Sequence, residues 1–227
     1  MTRTLRRFLR TALLSLGSTL VLLIILGCAV TCRPSWYQPG AIDVARLEDD
    51  KRDLVRLLDG VGDALNQSLP IDIELDEAQV NRWIAARREL PLDLEDPAVA
   101  AFADVLGQLE SPCVRFLGDD RIRLGAMVEY AGFRTVAAAS LKLVLEDGRV
   151  RIAPDGVSAG VLPLPARALL RRVDEAVAGQ GGAGPVFRDG AAEAPDHGRW
   201  PNGKRPFRVA RLSVVSGRLQ ARLVPLE

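Results

Sequence analysis

Residues 114–152 read VRFLGDDRIRLGAMVEYAGFRTVAAASLKLVLEDGRVRI, and this stretch decides the fold. Apolar and polar residues alternate along most of it, as they do in strands that bury one face. Turn signals interrupt the alternation at Gly118-Asp119-Asp120, at Gly132 and at Asp147-Gly148. Four adjacent strands joined by tight turns predict an antiparallel β-meander.

Helical periodicity comes before the meander. Residues 41–66 carry apolar positions at helical spacing, which predicts one amphipathic helix. Ile71, Ile73 and Leu75 alternate with acidic residues and predict a short strand. Asp76 then begins a second helix, because Gln79 stands three residues later as in a capping box. The spacing of apolar residues over 98–109 predicts a third, short helix.

The region after the meander mixes regular and irregular patterns. Residues 160–165 turn into a predicted helix over 166–177. Residues 179–206 hold seven Gly and four Pro, so we expect a long flexible loop there. Strands over 207–215 and 219–224 then form a hairpin around Ser216-Gly217. The predicted fold class is α+β: helices on an antiparallel meander, with a C-terminal hairpin, in one domain over 41–227.

The first thirty-two residues point to a membrane. Arg3, Arg6, Arg7 and Arg10 precede residues 11–32, which carry no charge. Twenty-two helical residues extend about 33 Å, enough to cross the ~30 Å hydrocarbon core of a bilayer. The arginines place the N-terminus in the cytoplasm and the bulk of the chain outside it. We therefore expect a single-pass anchor over 1–32 and a stalk over 33–40, with Trp36 and Tyr37 at the membrane interface.

A cleaved signal is the alternative to a retained anchor. Ile25-Leu26-Gly27-Cys28 resembles a bacterial lipobox, in which the Cys that follows a small residue becomes lipidated. Cys28 is therefore the predicted lipidation site in that interpretation. Both interpretations tether the remaining residues outside the cytoplasmic membrane.

Composition excludes several classes of function. Without residues 1–32 the chain keeps 26 basic residues against 29 acidic ones, which argues against a nucleic-acid partner. One His and three Cys cannot build a rich metal cluster or a disulfide framework. His197 lies in the Gly- and Pro-rich segment, so nothing would fix it as a general base. No nucleotide-binding or hydrolase motif is present, and we expect no cofactor, no metal and no enzymatic activity.

The third meander strand carries a possible binding surface. Residues 133–146 have apolar or small side chains on both faces, more than a sheet with one buried face needs. Helices can cover one face; the other either packs on the C-terminal hairpin or lines a groove for an apolar chain. The residues that would line such a groove are Trp83, Val136, Ala138 and Leu143.

The chain also resembles a known group of proteins. Leu75-Asp76-Glu77-Ala78-Gln79-Val80-Asn81, the meander and Gly160-Val161-Leu162-Pro163-Leu164-Pro165 are similar to the YpmS-like membrane-anchored extracytoplasmic proteins of bacteria. That group commonly has an asparagine at the position of Asn81. The resemblance covers residues 70–178. It implies a tethered α+β domain, distantly suggestive of sheets that bind lipid, and it brings no reaction.

Two functions are consistent with these patterns. The first is a membrane-tethered, non-enzymatic domain that binds lipid or another apolar envelope component. The alternative is an assembly factor of an envelope complex, which would contact a protein partner through the helix over 41–66 and the segment around Trp200.

Overall fold

The computed structural model describes residues 19, 21–90, 107–130, 132–165, 186–188, 191–200 and 205–226. The predictions for residues 1–18, for residues 98–106 of the helix predicted over 98–109 and for the helix over 166–177 lie outside these residues. The described chain is α+β, with antiparallel sheets and few helices, which confirms the predicted class. Within it, no helix combines the length and the apolar character needed to cross a bilayer.

The described chain has three helices of nine or more residues and eleven strands, and residues 107–108 are also helical. The helices are α1 (residues 21–31), α2 (Leu47–Asn66) and α3 (Glu77–Ala85). The strands are β1 (Ile71–Asp76), β2 (Glu110–Gly118), β3 (Arg121–Tyr130), β4 (Phe133–Glu146), β5 (Arg149–Ala159), β6 (Leu162–Leu164), β7 (Val186–Arg188), β8 (Ala191–Pro195), β9 (His197–Arg199), β10 (Pro206–Val215) and β11 (Arg218–Pro225).

The meander forms as predicted and is the centre of the larger sheet. This sheet has the strand order β2-β3-β4-β5-β8-β7, with β6 added beside β5. Asp119 and Asp120 both adopt positive φ, as do Asp147 and Gly148, so each pair makes the tight hairpin that the turn signals predicted. The Asp119-Asp120 pair is thus a turn element.

The C-terminal hairpin also forms as predicted, in a second sheet. Strands β10 and β11 pair around Ser216-Gly217, and the sheet order is β1-β11-β10-β9. Strand β1 alternates half-buried and exposed residues along its whole length, as its sequence predicted. The hairpin packs on the larger sheet, where Val214 contacts Val114 and Phe116.

The segment 179–206 is more ordered than predicted. Strands β7, β8 and β9 lie within it, so the prediction of a flexible loop is wrong for these residues. Strand β8 pairs with β5, and β9 pairs with β10. The backbone of this segment therefore gains its hydrogen bonds from distant strands, which local composition does not encode.

Helix α2 starts later than predicted, at Leu47. The Asp43 carboxylate accepts the Ala45 backbone N–H at 3.1 Å, and this local turn competes with helix. Val44 lies outside the helix and is 80% exposed. The apolar stripe of α2 ends on the smaller sheet, where Val61 and Leu65 bury against Leu223.

Helix α3 connects the two sheets. Its Val80 and Ile84 contact the core around Phe116 and Val214, while Trp83 packs towards α2. The predicted capping box does not form, since Asp76 makes no side-chain cap. The first backbone N–H of the helix, from Glu77, is instead satisfied by the Gly217 carbonyl at 2.9 Å.

Two side chains of α3 cover the outer edge of β2. The Asn81 amide donates to the Val114 carbonyl and accepts the Val114 N–H, both at 2.8 Å. One turn earlier, the Glu77 carboxylate accepts the Phe116 N–H at 2.7 Å. Residues four apart lie on one helix face, so the pair follows the strand edge and replaces a neighbouring strand.

Candidate functional site

The junction between α1 and the larger sheet is fixed by backbone contacts. The Val161 N–H donates to the Ala29 carbonyl at 3.0 Å, and the Thr135 hydroxyl donates to the Val30 carbonyl. Gly160 has φ +58°, and a Cβ there would lie 2.2 Å from the Val30 carbonyl oxygen. Only glycine fits this position, so the end of α1 is held directly against the sheet.

An aromatic pair follows the junction and packs on the same face of the sheet. The rings of Trp36 and Tyr37 meet edge to face, with centroids 5.9 Å apart. Tyr37 is only 2% exposed, contacts Val136 and donates its hydroxyl to the Ser111 carbonyl at 2.6 Å. The predicted stalk is thus part of the core in this region, and the interfacial role of the two residues stays a prediction.

Burial around Tyr37 changes two acid–base groups. It raises the pKa of the Tyr37 hydroxyl above its ordinary value. It also raises the pKa of the neighbouring Cys113 thiol to about 11. Both groups stay neutral at pH 7, and a neutral buried thiol is a poor nucleophile.

Gly125 makes room for the aromatic pair. A Cβ at this position would lie 2.6 Å from Cη2 of Trp36 and 3.2 Å from the Tyr37 ring. An isolated glycine inside a strand signals a close approach of another group. Gly125, inside the meander, is therefore the residue in the sequence that signals this contact.

A groove of about 400 Å³ opens beside Trp36. This volume is in the range of small ligand sites. Small residues of β4 and β5 form its floor, and Pro34, Trp36 and the β5–β6 turn form its walls. The residues lining the groove include Trp36, Arg123, Ala138, Ser140, Gly156 and Val161.

Arg123 is the charged group of this groove. Its guanidinium lies over the Trp36 ring, 5.3 Å from the ring centroid, and its Nε donates to the Ser140 hydroxyl at 3.0 Å. Both contacts orient the side chain across the groove. The arrangement places one fixed cation beside an apolar wall.

The structure separates the four predicted groove residues. Only Ala138 lines the groove beside Trp36. Val136 is buried under Tyr37, and Leu143 packs on the opposite face with Phe116. Trp83 lies in the core between α2 and α3, where its indole N–H donates to the Asp50 carbonyl at 3.2 Å. The apolar character of both faces of β4 is explained mainly by these core contacts.

A second cleft, of about 540 Å³, lies between α3, β2 and the β10–β11 turn. Both of its carboxylates are already used: Glu77 accepts the Phe116 N–H and lies 3.5 Å from Arg115, and Asp76 lies 3.4 Å from Arg218. Arg82 is likewise paired with Asp50 at 3.0 Å. The charged groups of this cleft therefore stabilise the fold.

Other residues singled out in the sequence do not assemble into a reactive site. His197 lies on β9 with its side chain 62% exposed, and its Nδ1 is 3.3 Å from Asp196. Across the described ranges, no three His, Cys, Asp or Glu residues are close enough to share a metal ion. Cys28 is exposed on α1, one residue before the contacts with the sheet begin.

Comparison with known proteins adds no assignment to these observations. No protein-family model, no curated protein and no solved structure matches the chain.

Proposed function

We propose that the chain is a membrane-tethered extracytoplasmic domain that binds an apolar lipid component in the groove beside Trp36, without catalysing a reaction. The observation that carries this proposal is the position of the groove, at the point where the apolar helix α1 meets the sheet. A ligand in the groove would thus lie next to the membrane that α1 enters.

The exposure of α1 supports the tether. Val21, Leu22, Leu23, Ile24 and Ile25 are each 55–59% exposed, although all are strongly apolar. Five consecutive helical residues point in all directions around the axis, so the domain covers no side of the helix there. A helix that is apolar on every side is stable in lipid. The uncharged residues 11–32 and the four arginines before them supply the length and the orientation.

The tether is tested by extraction and by mass. We expect the full chain to stay in the membrane fraction after alkaline carbonate washing and to keep its intact mass. A protein recovered in the soluble fraction with residues 1–32 intact would contradict the tether. A mature form that begins at Cys28 with a lipid mass would select the lipoprotein interpretation, and Cys28→Ala would then abolish that processing.

The groove is tested by filling it. A Cβ at Gly156 has no neighbour within 4 Å, so Gly156→Leu adds a side chain to the groove without a backbone clash. Gly60→Leu is the matched control, because Gly60 also faces open space but lies on the exposed side of α2. We expect the full chain, extracted in mild detergent, to carry bound lipid by native mass spectrometry. Gly156→Leu should reduce that lipid and Gly60→Leu should not; equal lipid in both variants would refute the groove.

The assembly-factor alternative has less support. The apolar stripe of α2 is buried in the domain's own core, and Trp200 packs against Phe207 and Gly62. Both surfaces named for a protein partner therefore make internal contacts. Crosslinking from α2 to another envelope protein, with no lipid on the wild-type chain, would select this alternative.

A further inference from the structure

Basic residues extend from the groove along one face of the larger sheet. Arg115 lies directly opposite Arg123 on the neighbouring strand, and Arg121 lies directly opposite Lys142. Residues opposite each other, or two apart on one strand, share a face. Arg115, Arg121, Arg123 and Lys142 thus form a basic strip that begins at Arg123 in the groove.

Two members of the basic strip are neutralised and two are not. Arg121 pairs with Asp119 and Asp155 at 3.1 and 3.6 Å, and Arg115 pairs with Glu77. Within the described residues, Arg123 and Lys142 make no ion pair with a carboxylate. They are diagonal neighbours on adjacent strands, and their Cβ atoms lie at most about 7–8 Å apart at that spacing. An anion the size of a phosphate fits between two side chains of this reach.

The unpaired positive charge of Arg123 and Lys142 is confined to this part of the surface. Beyond residue 32 the chain has more acidic than basic residues, so two unpaired cations beside the groove do not follow from a generally basic surface. Arg binds phosphate through two parallel N–H groups, and Lys adds a point charge. The apolar wall formed by Trp36, Ala138 and Val161 begins next to Arg123. An apolar wall beside an anion-binding pair matches a ligand that has both an anionic group and an apolar chain.

We propose that the groove binds one anionic phospholipid of the adjacent bilayer, with its phosphate between Arg123 and Lys142 and the start of an acyl chain along Trp36, Ala138 and Val161. This inference rests on the proposed function and adds the ligand class to it. The contact of Arg123 with Ser140 and Trp36 holds the guanidinium in place before the lipid arrives, which reduces the entropy lost on binding.

The test uses the full chain in a neutral detergent and two soluble probes, dihexanoyl phosphatidylglycerol and dihexanoyl phosphatidylcholine. Binding is followed by tryptophan fluorescence, because Trp36 lines the groove while Trp83 and Trp200 lie in other parts of the core. We expect the anionic probe to bind about tenfold more tightly than the zwitterionic one, because both carry the phosphate but Arg123 and Lys142 repel the choline cation of the zwitterionic probe. Its affinity should fall as NaCl is raised, and that of the zwitterionic probe should change less.

Variants locate the headgroup. Arg123→Gln and Lys142→Gln should each weaken binding of the anionic probe about three- to tenfold. They should weaken the zwitterionic probe less, because its choline cation offsets the attraction of its phosphate. Arg123→Lys should recover part of the loss. Arg208→Gln is the matched control, since Arg208 is exposed on β10 in the other sheet. Equal loss in the control, or no loss in either groove variant, would overturn the proposal.

The remaining outcomes separate this inference from the proposed function. Equal affinity for both probes, with both blocked by Gly156→Leu, would refute the anionic headgroup and keep the apolar groove. Inorganic phosphate binding as tightly as the anionic probe would show a simple anion site and overturn the lipid assignment. If neither probe binds and Gly156→Leu leaves co-purified lipid unchanged, both proposals fail.

Discussion

Replacing Asn81 with alanine removes only one amide group, but it should destabilise the protein strongly. The substitution removes both hydrogen bonds to Val114 and leaves a backbone N–H and a carbonyl without partners in a buried position. Each unsatisfied buried group costs about 1–3 kcal/mol. We expect Asn81→Ala to lower the free energy of unfolding by about 2–4 kcal/mol, and the melting temperature by roughly 5–15 °C for a domain of this size.

The measurement is urea unfolding of the full chain in a nonionic detergent, followed by tryptophan fluorescence. Gln79→Ala is the control, because it removes an amide from the same helix at a position that lines the cleft beside α3. That control should change the free energy by less than about 0.5 kcal/mol. If Asn81→Ala matches the control, the amide does not support the edge of β2 and the reasoning is refuted.

Two further predictions concern the junction and the buried thiol. Gly160→Ala should free the end of α1 and increase chymotryptic cleavage after Trp36 and Tyr37, because Tyr37 is buried in the intact junction. Gly217→Ala, which has a similar positive φ but open space around it, should not increase this cleavage, and equal cleavage in both variants would contradict the steric argument. Cys113 should resist maleimide at pH 7 in the folded chain and react once urea unfolds it, and rapid labelling of Cys113 in the folded chain would contradict its burial. The raised pKa of Cys113 means that the unfolded chain loses the thiol proton first. This contribution to stability is therefore intact below pH 9 and is lost between about pH 9 and 11, which urea titrations at pH 8 and 10 would measure with Cys113→Ala as reference.

The meander was predictable because its information is local. Asp119-Asp120 and Asp147-Gly148 adopt the positive φ angles that their turn types require, and the alternation between them fixes which side chains face the core. Strand β1 and the C-terminal hairpin were predictable from the same two local signals, the alternation of apolar and polar residues and the turn residues.

The strands within 179–206 were missed because their information is not local. Strand β8 reads Ala-Ala-Glu-Ala-Pro, which has neither alternation nor β-branched residues, and it forms by pairing with β5. The start of α2 was misplaced for a different reason. The apolar spacing continues back to Val44, but the Asp43 side chain binds the backbone there and delays the helix.

The site was only partly predictable. Ala138 was named as a groove residue and lines the groove, but Trp83, Val136 and Leu143 lie in separate parts of the core. Periodicity shows which face a residue takes, and it does not show which distant segment covers that face. Here the segment around Trp36 and Tyr37 covers one face of the meander, and the glycine that accepts it, Gly125, was the available signal.

The hydrogen bonds from α3 side chains to the outer edge of β2 also affect how copies of the protein associate. An open strand at the end of a sheet is a template on which another chain can polymerise. Asn81 occupies the N–H and carbonyl of Val114, Glu77 occupies the Phe116 N–H, and the Gly217 N–H occupies the Phe116 carbonyl. Helix α3 and the β10–β11 turn thereby protect this end of the larger sheet from pairing with another chain.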